Sequence, residues 1–259
     1  MFNLDGKIAI VTGGNGGIGK GIAEGLSAAG ASIVVAARNK TKSNSAVSEL
    51  KALGANAMSI HTDVTSQKGI DDLVTNTLSA YGKIDILVNN AGTNIRKRPE
   101  DYSMAEWDSL MNTNLRSAFM CSNAVYPHMK QSKSGKIINI GSMMSIFGSS
   151  FASIYSATKG GLVQLTKSLA VAWAENNIQV NAILPGWIKT DLTAAIRGTV
   201  VLPQNEQIPH MAKEISSRIP AGRWGVPSDL SGTAIFLATS ASNYVTGVSF
   251  AVDGGYSVR

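Results

Sequence analysis

Lys7-Ile8-Ala9-Ile10-Val11-Thr12 runs straight into Gly13-Gly14-Asn15-Gly16-Gly17-Ile18-Gly19, and the reading of that junction decides the fold. The β-branched run reads as a buried strand, and the residues after Gly17 read as a helix. Glycines between them let the chain turn sharply, let backbone N–H groups reach a pyrophosphate, and let helix and strand pack closely. The helix N-terminus adds about half a positive charge there. Two registers are readable, G-x-G-x-x-G from Gly14 and T-G-x-x-x-G-x-G from Thr12. A tight turn that binds nothing would carry the same glycines. Its place after the first strand favours a dinucleotide site at Gly13, Asn15, Gly17, Ile18 and Gly19.

Outward from the junction, short strands alternate with longer helical patterns. Strands are expected at Lys7–Thr12, Ser32–Ala37, Ala57–Ile60, Ile84–Asn89, Lys136–Ile140, Ile178–Ile183 and Val248–Val252. Helices are expected at Gly17–Ala29, Lys40–Leu53, Ser66–Tyr81, Met104–Met129, Tyr155–Asn176 and Ser228–Thr239. Strict alternation implies crossover connections, hence an α/β fold with one doubly wound, seven-stranded parallel sheet covered on both faces, the Rossmann arrangement. No repeat or linker divides the 259 residues, so 1–259 reads as a single domain. The irregular stretch at about 190–227 is apolar enough to be ordered and reads as a substrate lid.

Composition removes whole classes of function. The longest apolar run, Leu169–Ala174, has six residues, against the ~20 that a membrane span needs. The start Met1-Phe-Asn-Leu-Asp-Gly-Lys7 has no signal-peptide pattern, so a cytoplasmic location is expected. A single cysteine, Cys121, supplies neither a disulfide nor a thiolate metal cluster, and His61, His128 and His210 lack ligand spacing; no metal is expected. The net charge is +6, but the basic residues are scattered and aromatics make up only 6%, which argues against nucleic acid. Attraction of small anions accounts for the sign equally well.

The end of the second strand selects the dinucleotide. An acid there would bind the adenosine ribose of NAD, yet no Asp or Glu lies between Glu24 and Glu49, and the strand ends Ala36-Ala37-Arg38. A cation without an acid suits the 2′-phosphate of NADP, with NAD as the alternative; a solvated arginine is the bland reading. Asp63 and Val64 are placed to meet the adenine edge, although helix capping is an equal claimant for Asp63.

Tyr155 and Lys159 stand four residues apart on one helix face. Tyr126 and Lys130 repeat the spacing, but only the first pair is preceded by a hydroxyl at a strand end, Ser142 after Gly141. The loop Thr12–Gly19, Asn89-Asn90-Ala91-Gly92, Asn114, Ser142, Tyr155-Ser-Ala-Thr-Lys159 and Pro185-Gly186 together resemble the short-chain dehydrogenase/reductase family over essentially the whole chain. The segment from Arg218 to Leu230 resembles its gluconate 5-dehydrogenase and 2-deoxy-gluconate 3-dehydrogenase branch.

The resemblance implies an NAD(P)-dependent oxidoreductase moving a hydride between the nicotinamide and a secondary alcohol or ketone. Tyr155 would be the general acid/base, with its phenolate favoured by Lys159 and the oxidised nicotinamide. Lys159 would also hold the nicotinamide ribose, Ser142 would hydrogen-bond the substrate oxygen, and Asn114 would anchor a water in the proton relay. Asn90, Ala91, Gly92, Pro185, Gly186, Ile188 and Thr190 would border the cofactor. Met144, Trp187 and Arg96, with Ser142 and Tyr155, would border the substrate. The run Arg96-Lys97-Arg98 could neutralise a sugar-acid carboxylate, or be a solvated loop. A general carbonyl reductase for keto esters or cyclic ketones is the alternative, and a non-catalytic nucleotide sensor is the alternative of another class. Helices 104–129 and 155–176 are apolar beyond one stripe, which suggests a partner surface; the resemblance implies a homotetramer built on them.

Overall fold

A computed structural model describes residues 1–198 and 208–259; the part of the expected lid at 199–207 lies outside the described residues. Seven parallel strands form one sheet in the order β3-β2-β1-β4-β5-β6-β7. They are β1 Ile8–Thr12, β2 Ser32–Ala37, β3 Ala57–His61, β4 Ile86–Asn89, β5 Gly135–Ile140, β6 Ile178–Pro185 and β7 Ser249–Val252. The expected strands therefore all form, within about two residues at their ends.

Alternation along each buried strand feeds two cores. Ala9 and Val11 of β1 join Ile33, Val35, Ile86 and Val88 against α1 (Gly17–Ala28) and α8 (Ser231–Ala238). Ile8 and Ile10 join Val34, Leu87, Ile137 and Val180 against α3 (Gln67–Tyr81), α5 (Ser117–Ser132) and α6 (Ser153–Trp173). Burial on both faces explains the near-continuous apolar strands. The order reverses between β1 and β4, and the crevice outside their carboxyl ends is where open sheets of this kind bind ligands.

One expected helix is broken. Residues 104–129 form α4 (Met104–Met111), a π-helical turn at Asn112–Arg116, and then α5, which passes through Pro127 to Ser132. A hydrophobic stripe is blind to one inserted residue, so periodicity alone reads the stretch as continuous. Such π-turns often sit at functional sites, and this one contains Asn114. The lid region carries a short 3₁₀ turn at Asp191–Thr193 and helix α7, Ile208–Ser217. It packs Ile196, Ile215, Ile219 and Trp224 against Met143, Leu184 and Tyr256, a third core standing over the carboxyl end of the sheet.

Candidate active site

The Thr12–Gly19 loop is laced to β4 and the residues that follow it. Thr12 Oγ1 donates to the Val88 carbonyl at 3.2 Å and accepts the N–H groups of Asn90 and Ala91, both at 3.0 Å. Asn90 Nδ2 donates to the Thr12 carbonyl at 2.9 Å. Gly13 turns at φ +64°, a conformation that side chains resist, and a Cβ on Gly19 would collide with Asn90 and the Gly13 carbonyl. Gly19 thus stands behind the loop as the close-packing glycine, not on the cleft wall.

Two contiguous clefts follow. One, of about 280 Å³, is lined by Gly13, Asn15, Gly17, Ile18, Asn90, Ala91, Gly92, Tyr155, Lys159 and Thr190. The other, of about 240 Å³, shares Gly13, Asn15, Ala91 and Gly92 and ends at Arg38, Asp63 and Val64. An elongated groove passing the N-terminus of α1 and bordered by glycine fits a dinucleotide laid across the switch point. Asp63 does not cap α3, because Ser66 does so, accepting the Gly69 N–H at 3.3 Å. The Asp63 carboxylate instead accepts the Thr65 N–H (2.9 Å) and hydroxyl (2.7 Å), and these bonds hold its pKa below the ordinary carboxylate value.

Lys42 was not among the expected site residues, yet it lines both clefts. It reaches from α2 (Lys40–Ala52) to pair with Asp191 at 2.8 Å, and a Cβ on Gly16 would meet its ammonium. On sequence alone it is one more lysine in a polar helix. The one usable signal was the lack of any cation between Gly13 and Gly19.

Tyr155 and Lys159 stand one turn apart near the start of α6. Lys159 is buried, its Nζ donates to the Ile140 carbonyl at 2.7 Å, and burial pushes its pKa down to about 8. The ammonium lies 5.7 Å from the Tyr155 ring centre. Burial raises the Tyr155 phenol above its ordinary value; the Ser142 hydroxyl and the positive charge of Arg96 work in the opposite direction. Ser142 stands in the turn just after β5 and accepts the Met144 N–H at 3.1 Å, which fixes its hydroxyl beside Tyr155. Asn114 clasps the loop after β4: its Oδ1 accepts the Thr93 N–H at 2.8 Å and its Nδ2 donates to the Thr93 carbonyl at 2.9 Å.

A cavity of about 550 Å³ opens beyond Tyr155 and Ser142. Met144, Trp187 and Arg96 line it as expected, and so do Pro185, Gly186, Ile188 and Thr190, which were expected beside the cofactor. Thr190 and Ile18 border both this cavity and the groove, so the two spaces meet there. The Arg96-Lys97-Arg98 run does not act as a block. Lys97 pairs with Glu106 and Arg98 with Glu100, while Arg96 alone opens on the cavity. The surrounding walls desolvate its guanidinium and lower its pKa. Among the described residues, no group of three or more His, Cys, Asp or Glu is placed to hold a metal, and no helix is long and apolar enough to cross a membrane.

A family model described as enoyl-(acyl carrier protein) reductase matches residues 13–257. The chain belongs to the short-chain dehydrogenase/reductase family. It is 43% identical over 259 residues to the 2-dehydro-3-deoxy-D-gluconate 5-dehydrogenase of Escherichia coli, covering 100% of this chain and 98% of that protein. It is 39% identical to a tropinone reductase homolog of Arabidopsis thaliana, covering 100% of this chain and 95% of that one. A gluconate 5-dehydrogenase from Burkholderia cenocepacia, solved with NADP and tartrate, superposes with a TM-score of 0.92 at 36% identity, over 100% of this chain and 98% of that one. This chain is accordingly an NAD(P)-dependent oxidoreductase acting on CH–OH groups.

Proposed function

We propose that the protein is an NADP-preferring dehydrogenase of anionic polyols, interconverting a secondary alcohol and a ketone on a sugar acid of the gluconate type. The observation that carries this reading is the cavity into which Tyr155 and Ser142 open together with two arginines, Arg96 and Arg218, neither with a carboxylate in salt-bridge range among the described residues. A desolvated, unpaired guanidinium in a pocket is costly unless a ligand anion meets it.

A nicotinamide held in the groove beside Tyr155 and Lys159 would supply the acceptor or donor of the hydride exchanged with the carbinol carbon. In the oxidative direction Tyr155 Oη takes the hydroxyl proton; in the reductive direction it gives one to the carbonyl oxygen. Ser142 donates a hydrogen bond to that oxygen, where charge builds in the transition state. Lys159 would hold the nicotinamide ribose, and Asn114, bonded to Thr93 and Thr158, ties the π-turn to the loop after β4 and to α6; the relay water expected there belongs to this proposal. Arg38, Asp63 and Val64 take the adenosine end, and Arg38 meets the 2′-phosphate. Relatives described with NADP and with gluconate-type substrates support this reading.

The test compares gluconate with a neutral cyclic alcohol at matched concentrations and saturating NADP. Faster turnover of the acid is expected. Faster turnover of the cyclic alcohol would establish a general carbonyl reductase, which the apolar wall around Met143, Met144 and Phe151 and the tropinone reductase homolog favour. Absence of cofactor turnover on every ketone and alcohol would leave the nucleotide sensor. The proposal includes a homotetramer in the cytoplasm. Trp107, Phe119 and Val171 stand exposed on α4, α5 and α6, and Val171 is 83% exposed. Sedimentation at a mass four times 27.1 kDa is expected.

A further inference from the structure

Two arginines open on the substrate cavity, and they occupy different places in it. Arg96 comes from the loop after β4, and its charge is felt by Tyr155. Arg218 follows the last residue of α7, between Ile215 and Ile219 of the third core. Its guanidinium lies over the ring of Tyr256, 5.1 Å from the centre. Tyr256 is buried and meets Phe147 and Trp187 edge to face, at 6.2 and 6.3 Å. An aromatic platform thus holds this cation in place. Among the described residues, no carboxylate lies within salt-bridge distance of Arg218, although Arg223 a few residues on is paired with Asp229 at 2.7 Å. Glu214, one helical turn back on α7, lines the same cavity without pairing with Arg218.

We infer that Arg218 is a specificity-determining residue that anchors the carboxylate of the substrate, while Arg96 lies against the part of the molecule next to the reacting carbon. This rests on the sugar-acid reading above and narrows it. A carboxylate held by Arg218 lies on the α7 and Tyr256 wall of the cavity, and the reacting oxygen lies on the wall formed by α6 and the turn after β5. The substrate class is then a linear polyhydroxy acid whose alcohol or ketone lies several carbons from the carboxylate, not an α-hydroxy or β-keto acid. Glu214 is placed to accept hydroxyl groups along the chain.

The experiment measures kcat and KM for a six-carbon aldonate, for the six-carbon polyol that lacks the carboxylate, and for a four-carbon aldonate. Wild type is compared with Arg218→Met and Arg218→Lys. For Arg218→Met a ten- to a hundredfold rise in KM for the six-carbon acid is expected, about the loss that accompanies a charge-assisted hydrogen bond. The expected kcat changes less than threefold, the KM for the polyol does not move, and Arg218→Lys recovers part of the loss. The short acid, unable to reach from Tyr155 to Arg218, should respond little to the substitution. NADPH affinity and melting temperature report that the variants are folded. An unchanged KM for the six-carbon acid in Arg218→Met would overturn the inference, as would equal rises for acid and polyol, which mean packing. A wild-type enzyme that does not prefer the six-carbon acid to the polyol would instead overturn the sugar-acid reading, and this inference with it.

Discussion

The chain carries a tyrosine and a lysine four residues apart twice, and in both pairs the ammonium lies 5.7 Å from the ring centre. Tyr126 stacks on Trp173 at 4.6 Å, its hydroxyl is 3.5 Å from Asn176 Nδ2, and Lys130 is exposed. Tyr155 faces Ser142 and two ligand spaces, and Lys159 is buried against the Ile140 carbonyl. Identical residues at identical spacing are packing on one helix and, in the proposed function, a proton-transfer apparatus on the next. What differs is the strand end: β5 stops at Ile140, and the following turn delivers Ser142 to the second pair only.

The largest expected effect breaks or confirms that contrast directly. Tyr155→Phe should keep NADPH affinity while lowering kcat by at least the ~10²–10⁴ typical of a lost general acid/base. Tyr126→Phe should leave turnover per folded molecule unchanged. Steady-state kinetics beside a cofactor titration decide it, and the reverse pattern would mean that the other pair does the chemistry.

The lysines sharpen the contrast through pH. Burial lowers Lys159 from 10.5 to about 8, which corresponds to about 3 kcal/mol of unfavourable free energy for the charged form. Between those values the unfolded chain binds more protons than the folded one, so this group makes stability rise as pH rises from about 8 to 10.5; below about 8 the full penalty is present. Lys159→Met should therefore inactivate the enzyme and yet stabilise it at pH 7. About 1–2 kcal/mol remains after the Ile140 carbonyl loses its partner. Urea unfolding at pH 7 and pH 10 should show the gain shrinking at the higher pH, and Lys130→Met should show none. Lys136 is also lowered to about 8 by burial, but it bonds Ser242 and Asn243 at the far end of β5 from the site. A displaced pKa alone does not mark function.

The sheet was legible because its central strands are buried on both faces and so read as short, largely apolar runs. The candidate catalytic set was legible because Ser142 falls just past a strand end and Tyr155 and Lys159 fall on one helical face. The π-turn at Asn112–Arg116 was not, since one inserted residue leaves the apolar stripe nearly intact. Nor could spacing separate Arg96 from Lys97 and Arg98; the partners Glu106 and Glu100 do that. Lys42 and Arg218 stayed hidden for a common reason. Each is a cation whose meaning comes from what it reaches across the fold, Asp191 and Gly16 for one and the ring of Tyr256 for the other.

At the adenosine end the contrast between surroundings recurs in two cations on one cleft. Arg38 has no carboxylate in salt-bridge range among the described residues, and it lines the cleft with Asp63 and Val64. Arg38→Leu should weaken NADPH by about 1–3 kcal/mol, the range of a charge-assisted contact, and leave NADH nearly unchanged. Fluorescence titration with both cofactors measures this. A wild-type preference for NADH would show that Arg38 is only a solvated side chain.

Lys42 is the paired counterpart and should give the smallest effect. Its bond to Asp191 joins two exposed side chains, with Asp191 90% open, and such pairs contribute at most about 1 kcal/mol. The same pairing already offsets part of the ammonium's charge, so any phosphate in the groove competes with Asp191 for it. Lys42→Gln should then weaken NADPH less than Arg38→Leu does, by under about 1 kcal/mol. Asp191→Asn, which frees the ammonium, should tighten NADPH slightly. Both effects should fade as salt is raised from 0.05 to about 0.5 M, because exposed charges are screened at that strength. If Lys42→Gln weakens NADPH as much as Arg38→Leu and Asp191→Asn changes nothing, pairing does not set the strength of a cation here. The contrast would then hold only for buried groups such as Lys159.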